Sequence, residues 1–447
     1  MSSRIEIPYG ATRIITRLQQ FGFEAYVVGG CVRDSLLGKK PKDWDICTNA
    51  TPKVVKKVLS EFKVFDTGIK HGTVTVVVDG AYEVTTFRKD GKYTDHRRPD
   101  EVSFDATLED DLARRDFTIN AMACNYERFI DLAGGEKDLK AGTLRCVGNP
   151  DERFHEDALR ILRALRFAST YCLTIEEKTE EALRRNVDLL RHIARERVRD
   201  ELFKLLTGED VLRVLESYKD IITKIIPDLK PCVGFSQNNP YHCYDVYDHI
   251  AHTVEAYKGD DLAVKVALLL HDIGKPECYS EDERGGHFYN HGEASARLSG
   301  PILRGLRVDN EMLKNVTELI SYHNSEIKPT PRVVRRWLNL IGEEQFRRLL
   351  DLRLADIAGH APLAQRHNLE ELEDVRKVLD KVIADRDCFT LKDLHINGHE
   401  IMDLGLTEGK EVGEILNWLL NEVMEGNVKN TYHDLKWAAE RKIYGIN

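Results

Sequence analysis

The stretch VVGGCVRDSLLGKKPKDWDICTNATP, Val27 to Pro52, decides how the N-terminal part of this chain is read. Tyr26-Val27-Val28 reads as a short buried strand and Val32 to Leu37 as the first turns of a helix, with Gly29-Gly30 between them. Glycine lets a backbone come close to a bulky anion, and a helix start presents free N–H groups that suit phosphate oxygens. Arg33 and Asp34 follow. Asp43 and Asp45 then flank Trp44 and precede Ile46, a pattern that suits a strand. A period of two puts both carboxylates on one face. Two such oxygens can share divalent cations, as magnesium-dependent phosphoryl chemistry requires. Alone, a glycine pair is a turn and Asp-x-Asp a solvated strand face; their order carries more than either.

In that order the motifs resemble the head of the class II tRNA nucleotidyltransferase and poly(A) polymerase family, within the polymerase-β-like superfamily. There GG-x-VRD and D-x-D hold a nucleoside triphosphate and two magnesium ions. The resemblance implies that Gly29, Gly30 and Arg33 position the triphosphate and that Asp43 and Asp45 hold Mg²⁺. Thr73 to Val78 and Ala81 to Phe87 read as a hairpin around Asp79-Gly80. Its second strand carries Glu83, and a third carboxylate can position or deprotonate an attacking hydroxyl. The family has its third catalytic carboxylate in a similar E-V-T-T-F-R run. Lys89 to Thr107, polar and charged, reads as a mobile loop; related enzymes use such a loop to switch between nucleotides.

Arg114-Arg115-Asp116-Phe117-Thr118-Ile119-Asn120 resembles the family's RRDFT-x-NA motif, which contacts triphosphate and sugar. The planar fork of arginine suits phosphate. Asp116 and Asn120, four apart, share a face if a helix has begun there. Glu156 to Arg166 reads as one strong helix carrying Asp157, Arg160 and Arg163, with Asp157 and Arg160 side by side at i, i+3. Ionised aspartate only accepts hydrogen bonds and arginine only donates. Such a pair fits the pairing edges of cytosine and adenine and mismatches uracil and guanine, and unpaired polar groups give large discrimination. Spacing alone does not separate this from a surface salt bridge worth about 0–1 kcal/mol. The family's EDxxR motif, which selects CTP and ATP, falls on Glu156, Asp157 and Arg160. Ala194 to Leu202 also resembles the family's neck.

His271-Asp272 closes an apolar run, Ala263 to Leu270. An adjacent His-Asp after such a run resembles the HD-type phosphohydrolases, where it offers two ligands to one metal. Further ligands come from elsewhere in the chain: His249, His291, His323 and Asp356 stand in suitable order. Imidazole and carboxylate together suit Mn, Fe, Ni, Zn or Mg, so a second divalent metal of unidentified kind is expected. In relatives some copies of this domain serve mainly as a scaffold for RNA. The segment Leu406 to Leu420, LTEGKEVGEILNWLL, reads as a helix starting near Gly409 and Gly413; similar family segments touch the tRNA elbow.

The chain has 447 residues, 42% hydrophobic and 31% charged, an ordinary soluble composition with room for several cores. No apolar run approaches the ~18 residues of a membrane span, and MSSRIEIPYG lacks a secretory signal's apolar segment. No membrane association is expected. Nine scattered cysteines without C-x-x-C favour reduced thiols in a cytoplasm. A net charge of −10 argues against indiscriminate polyanion binding but not against local RNA patches, such as the arginines from Arg184 to Arg199. After Asn149 strand signals vanish. The expectation is an α+β fold: a nucleotidyltransferase head with a mixed sheet and helices at 1–145, an all-helical neck at 146–228, an HD body at 229–385 and a tail at 386–447.

The resemblance implies template-independent addition of C, C and A to the tRNA 3′ end from CTP and ATP, with tRNA rather than DNA as partner. Alternatives are an A-adding enzyme or poly(A) polymerase of the same family, an HD phosphohydrolase with a nucleotide-sensing head, and a pure RNA-binding protein. The loop at Lys89 to Thr107 argues against a C-only enzyme, and intact Asp43, Asp45 and Glu83 argue against the last two alternatives.

Overall fold

The structure is a computed structural model that describes residues 5–91, 101–283, 285–407 and 409–445. The chain divides into two compact units, Met1–Pro227 and Asp228–Asn447.

The first unit is built on a seven-stranded mixed sheet. Its strands are β1 (Ala25–Val28), β2 (Asp45–Thr48), β3 (Lys63–Gly68), β4 (Thr73–Val77) and β5 (Ala81–Thr86). A two-residue ribbon, β6 (Lys89–Asp90) with β7 (Val102–Ser103), stands apart, and β8 (Met122–Cys124) and β9 (Phe129–Asp131) complete the sheet. The order is β3-β4-β5-β2-β1-β8-β9. β2 and β5 run parallel, and the other neighbours run antiparallel. β1 is buried along its whole length, which is why it reads as a continuous apolar run rather than an alternation. β5 alternates, with Tyr82, Val84 and Thr86 inside and Glu83 on the open face. The expected hairpin at Asp79-Gly80 forms, with Asp79 accepting from the Tyr82 hydroxyl at 2.7 Å. Residues 92–100, the middle of the expected loop, lie outside the described residues; its two flanks pair as β6 and β7.

From Pro150 to Ile225 the first unit is mainly helical, with two corrections to the sequence reading. Strand structure does not end at Asn149: Thr174–Ile175 pairs in parallel with Thr143–Leu144, and in the second unit Tyr279–Asp282 pairs with Gly285–Phe288. Two-residue strands show no periodicity, and Gly285-Gly286 hides the other. The helix expected over Glu156 to Arg166 is two helices, Pro150–Glu156 and Leu159–Tyr171. Asp157 between them is extended, at φ −137° and ψ 102°, and its carboxylate accepts from the Leu159 N–H at 3.0 Å. Aspartate competes in this way for free helix-start donors.

The second unit is helical apart from its ribbon. Leu262–Leu270 is buried almost all round, and Val246–Ala256, Asn310–Tyr322 and Pro331–Ala358 pack on it. Pro331–Ala358 bends at Gly342, whose φ is 78°. The C-terminal helices Lys410–Glu425 and Tyr432–Tyr444 close over their own core of Leu419, Leu420, Leu435 and Ala439. Among the described residues, no helix is long and apolar enough to cross a membrane.

Candidate active site

Asp45 opens β2 and stands in register with Glu83 of β5. Residues opposed in parallel strands share a face, so two strands deliver two carboxylates side by side. Asp43 lies just before the strand rather than in it. All three residues are exposed. Desolvation of its carboxyl raises the Asp45 pKa, the Glu83 and Asp43 charges raise it further, and Arg115 opposes them. A carboxyl pushed up by neighbouring carboxylates marks a place where a divalent cation would relieve the crowded charge. An all-oxygen donor set of this kind fits a hard ion.

Gly29 precedes the helix Gly30–Leu36 at φ 81°, a conformation that side chains with a Cβ rarely adopt. A Cβ there would also meet Arg115 Nη1 at 2.9 Å. Arg115 and Arg114 converge on Asp111, with Nη2 to carboxylate distances of 3.2 and 2.6 Å. Against its burial, Arg115 and Arg114 hold the Asp111 carboxyl below the usual range. Asp111 was not singled out in the sequence. Its signal was present in the i+3 and i+4 spacing to the arginine pair.

Arg33 is 6% exposed and fully engaged by protein. Its Nη1 donates to Asn120 Oδ1 at 2.6 Å, Nη2 to the Tyr171 hydroxyl at 2.6 Å and Nε to Asp34 at 2.8 Å. Its guanidinium also covers the Tyr171 ring at 4.3 Å. Asp116 is likewise enclosed. It accepts from the Phe117 N–H, from Asn120 Nδ2 at 3.1 Å and from Arg163 Nε at 2.9 Å. Burial works against its charge, yet Arg163, Asn120 and Arg160 hold its carboxyl well below the usual range. The two networks tie the sheet-bearing part of the unit to the helix Leu159–Tyr171. Thr118–Asn120 is a single 3₁₀ turn that Asp116 precedes, so the Asp116–Asn120 contact forms without a shared α-helix.

Asp157 and Arg160 are not paired with one another by their side chains. Asp157 Oδ2 meets Arg197 Nη2 at 3.1 Å. Arg160, 9% exposed, donates to Glu156 at 2.7 Å and to the backbone oxygens of Arg153 and Arg114 at 3.2 and 3.0 Å. The shared helix expected to carry Asp157 and Arg160 is therefore corrected. Asp157 belongs to the break between helices, and Arg197 on the helix Arg195–Leu206 is the partner the sequence did not reveal.

In the second unit the six expected residues converge. His249 Nε2 lies 3.0 Å from Asp356 Oδ1 and 3.3 Å from Asp272 Oδ2. His271 Nε2 lies 3.3 Å from Asp272 Oδ2 and 3.5 Å from Asp356 Oδ1. His291 and His323 place Nε2 at 3.4 and 3.8 Å from Asp272 Oδ1. Every one of the four rings donates Nδ1–H to a backbone carbonyl, at 2.6 to 3.2 Å, which turns Nε2 inward. Burial lowers the pKa values of His249, His291 and His323, while Asp272 and Asp356 overcome burial to raise His271 to about 10. A metal ion binding here would displace that proton. His271 Nε2 and Asp272 Oδ1 are buried without a hydrogen-bond partner, which fits a cation, while Asp272 Oδ2 meets Lys275 Nζ at 2.7 Å. The sequence reading missed His242, His360 and Lys275 at the rim of this centre.

Across 94% of its length the chain is 34% identical to the CCA-adding enzyme of Lactobacillus delbrueckii, of which it covers 94%. The chain belongs to the CCA-adding enzyme family. Three family descriptions match successive parts of it: "Poly A polymerase head domain" at residues 25–145, "Probable RNA and SrmB- binding site of polymerase A" at 172–230, and "tRNA nucleotidyltransferase domain 2" at 293–438. A crystal structure of the Bacillus stearothermophilus CCA-adding enzyme in complex with CTP is similar, with a TM-score of 0.70, 29% identity and 97% coverage of each chain. The Thermotoga maritima CCA-adding enzyme complexed with tRNA(CCA) shares the fold, at a TM-score of 0.61 and 19% identity over 98% of this chain and 97% of that one. The head match contains the family's glycine pair, the three carboxylates and the Arg114–Asn120 segment. Of the six converging residues in the second unit, only His323 and Asp356 fall within a matched segment.

Proposed function

We propose that the first unit adds C, C and A to the 3′ end of tRNA from CTP and ATP, without a template and with release of pyrophosphate. Membership of the CCA-adding family supports the activity, and the register pairing of Asp45 with Glu83 carries the assignment of the site. The tRNA 3′-hydroxyl oxygen attacks the α-phosphorus of the nucleoside triphosphate; a new P–O bond forms, the bond from the α-phosphorus to the bridging oxygen of the β-phosphate breaks and pyrophosphate leaves. Asp43 and Asp45 would hold Mg²⁺, which supplies charge neutralisation for the triphosphate and activation of the hydroxyl. Glu83 orients that hydroxyl and takes up its proton. Gly29 and Gly30 leave room for the triphosphate, Arg115 faces it from across Gly29, and Asp111 fixes the direction of Arg114 and Arg115. Arg33, Asn120, Asp116 and Arg163 act as the frame behind this site. Asp157 and Arg160 read the base once Asp157 exchanges Arg197 for the base edge.

The test uses tRNA transcripts ending before CCA, after C and after CC, each incubated with one labelled triphosphate. CTP should extend the first two and ATP only the third. Addition of A alone, to the CC end only, would assign the chain to the A-adding branch instead. A second reading concerns the second unit: its His and Asp centre is a divalent-metal site of HD type, acting on phosphoester ends of RNA or nucleotides. The buried His271 Nε2 and Asp272 Oδ1, without a hydrogen-bond partner, support it. Elemental analysis, with phosphatase and cyclic-phosphodiesterase assays under Mg²⁺, Mn²⁺ and Ni²⁺, tests it; no metal and no hydrolysis would leave an RNA scaffold.

A further inference from the structure

We propose that Arg197 is a stand-in for the base: it occupies Asp157 while the site is empty and leaves when cytosine or adenine is read. The inference rests on the reading of Asp157 and Arg160 as the base-selecting pair and names the group that competes with the nucleotide for it.

The two members of that pair are held differently. Arg160 is fixed by its bonds to Glu156 and to the backbone oxygens of Arg153 and Arg114. Asp157 has one oxygen committed and one exchangeable. Its Oδ1 accepts from the Leu159 N–H at 3.0 Å, a local bond to the start of the next helix that orients the carboxylate. Its Oδ2 meets Arg197 Nη2 at 3.1 Å, a contact made across forty residues of chain.

Arg197 offers Asp157 what the base offers. Its Nη2 is an N–H donor, as is the exocyclic amine of cytosine or adenine, and an ionised carboxylate only accepts. The carbonyl that uracil and guanine carry on the same edge cannot take over Oδ2. The contact uses one nitrogen only. Arg197 Nη1 is buried without a hydrogen-bond partner, so the pair lacks the two-bond fork that makes arginine–carboxylate pairs strong. The Arg197 side chain is 30% exposed and that of Asp157 18%, a setting in which an ion pair adds little. Arg197 also lies in the first turn of the helix Arg195–Leu206, where the helix dipole disfavours a cation. Each of these features makes the bond easy to give up.

Reversible occupancy suits successive additions. Each added base has to leave Asp157 and Arg160 before the next triphosphate is read, and Arg197 returning to Oδ2 restores the hydrogen bond that the departing base gives up. Arg197 acts through Asp157, so it is a positioning residue. Cytosine and adenine replace its N–H with one of their own; uracil and guanine do not.

The experiment is steady-state nucleotide addition by the full chain, with CTP or UTP on tRNA lacking CCA and with ATP on tRNA ending in CC. Arg197→Met keeps a long stem and removes the competing donor. Its KM for CTP and for ATP should fall by up to about fivefold, the range a partly exposed ion pair commands. Its kcat for the first addition and its KM for UTP should stay unchanged, so the preference for CTP over UTP rises. Arg197→Lys should retain wild-type constants, because a single donor suffices for this contact. In an Asp157→Ala background Arg197→Met should change nothing further. A raised KM for CTP with a weakened preference over UTP would overturn the stand-in and make Arg197 a clamp on Asp157. Unchanged constants would overturn it as well and leave a structural ion pair. Unchanged base preference in Asp157→Ala itself would instead remove the base-selecting reading on which the proposal stands. Should Arg197→Met fail to fold, arginine side-chain NMR of the wild-type chain decides, with Arg197→Lys assigning the signal. CTP should free the Arg197 guanidinium and UTP should not; a guanidinium that CTP leaves unaffected would overturn the proposal.

Discussion

Asp45 combines strand register with electrostatics: Glu83 stands opposite it, and its carboxyl is pushed up by desolvation and then by the Glu83 and Asp43 charges. Asp45→Asn keeps the shape and removes the charge, so nucleotide addition should fall at least about a hundredfold, the scale of a lost electrostatic stabiliser. Single-turnover addition of CMP to a CC-lacking tRNA measures it; a folded variant within tenfold of wild type would take Asp45 out of the site. For base choice, Asp157→Ala should raise UTP and GTP misincorporation relative to CTP and ATP without weakening triphosphate binding. Arg160→Ala should do the same but also destabilise the unit, because Arg160 ties Glu156 and two backbone carbonyls. Unchanged base preference in competition assays would reduce both residues to structure. Residue identity was legible here in the sequence, since glycine, carboxylate and arginine announce their chemistry by type and order. Partnership was not. Nothing in Asp157-Ala158-Leu159-Arg160 says that Asp157 caps a helix and meets Arg197, forty residues on, because such contacts depend on where the helix Arg195–Leu206 comes to lie.

The helix Leu159–Tyr171 holds its place against the sheet-bearing part through buried charge. Arg163 grips Asp116, while Tyr171 and Arg33 close the other end. Asp116→Asn should destabilise this junction by about 2–3 kcal/mol, less than the 3–5 kcal/mol typical of fully buried pairs because the Arg163 side chain is 32% exposed. Denaturant-dependent hydrogen exchange of Leu159–Tyr171 at pH 7 measures it, and equal protection in both proteins would contradict it. The pH dependence has a defined sign. Arg163 holds the Asp116 carboxyl below its unfolded value of about 3.9, so its contribution is complete above that pH and is lost as acid passes the folded value. The gap between wild type and variant should thus be constant from neutrality down to about pH 4 and narrow below it. At this scale the hairpin at Asp79-Gly80 and the strand Ala25–Val28 were legible because turn chemistry and an apolar run are local. The break at Asp157 and the ribbon at Gly285-Gly286 were not, since one depends on a cap overriding helical periodicity and the other on pairing that glycine does not advertise.

The whole molecule carries two sets of candidate metal ligands of different chemistry in two compact units. Asp43, Asp45 and Glu83 offer only oxygen, which suits a hard ion such as Mg²⁺. The second unit offers four imidazole nitrogens with Asp272 and Asp356, a set that favours transition metals. Removal and selective return of metal should therefore separate the two. Protein stripped with a chelator should lose nucleotide addition entirely. Mg²⁺ alone should restore addition to within about twofold, on the expectation that separate sites contribute independently. Elemental analysis of that restored protein should find no transition metal in the second unit, and Mn²⁺ or Ni²⁺ should then fill it without raising the rate of addition further. The separation follows from ligand softness, because Mg²⁺ gives up its water reluctantly and gains little from imidazole. If Mg²⁺ failed to restore addition until a transition metal had been returned, the histidine centre would be part of the CCA-adding machinery, and the independent assignment of the two units would fall.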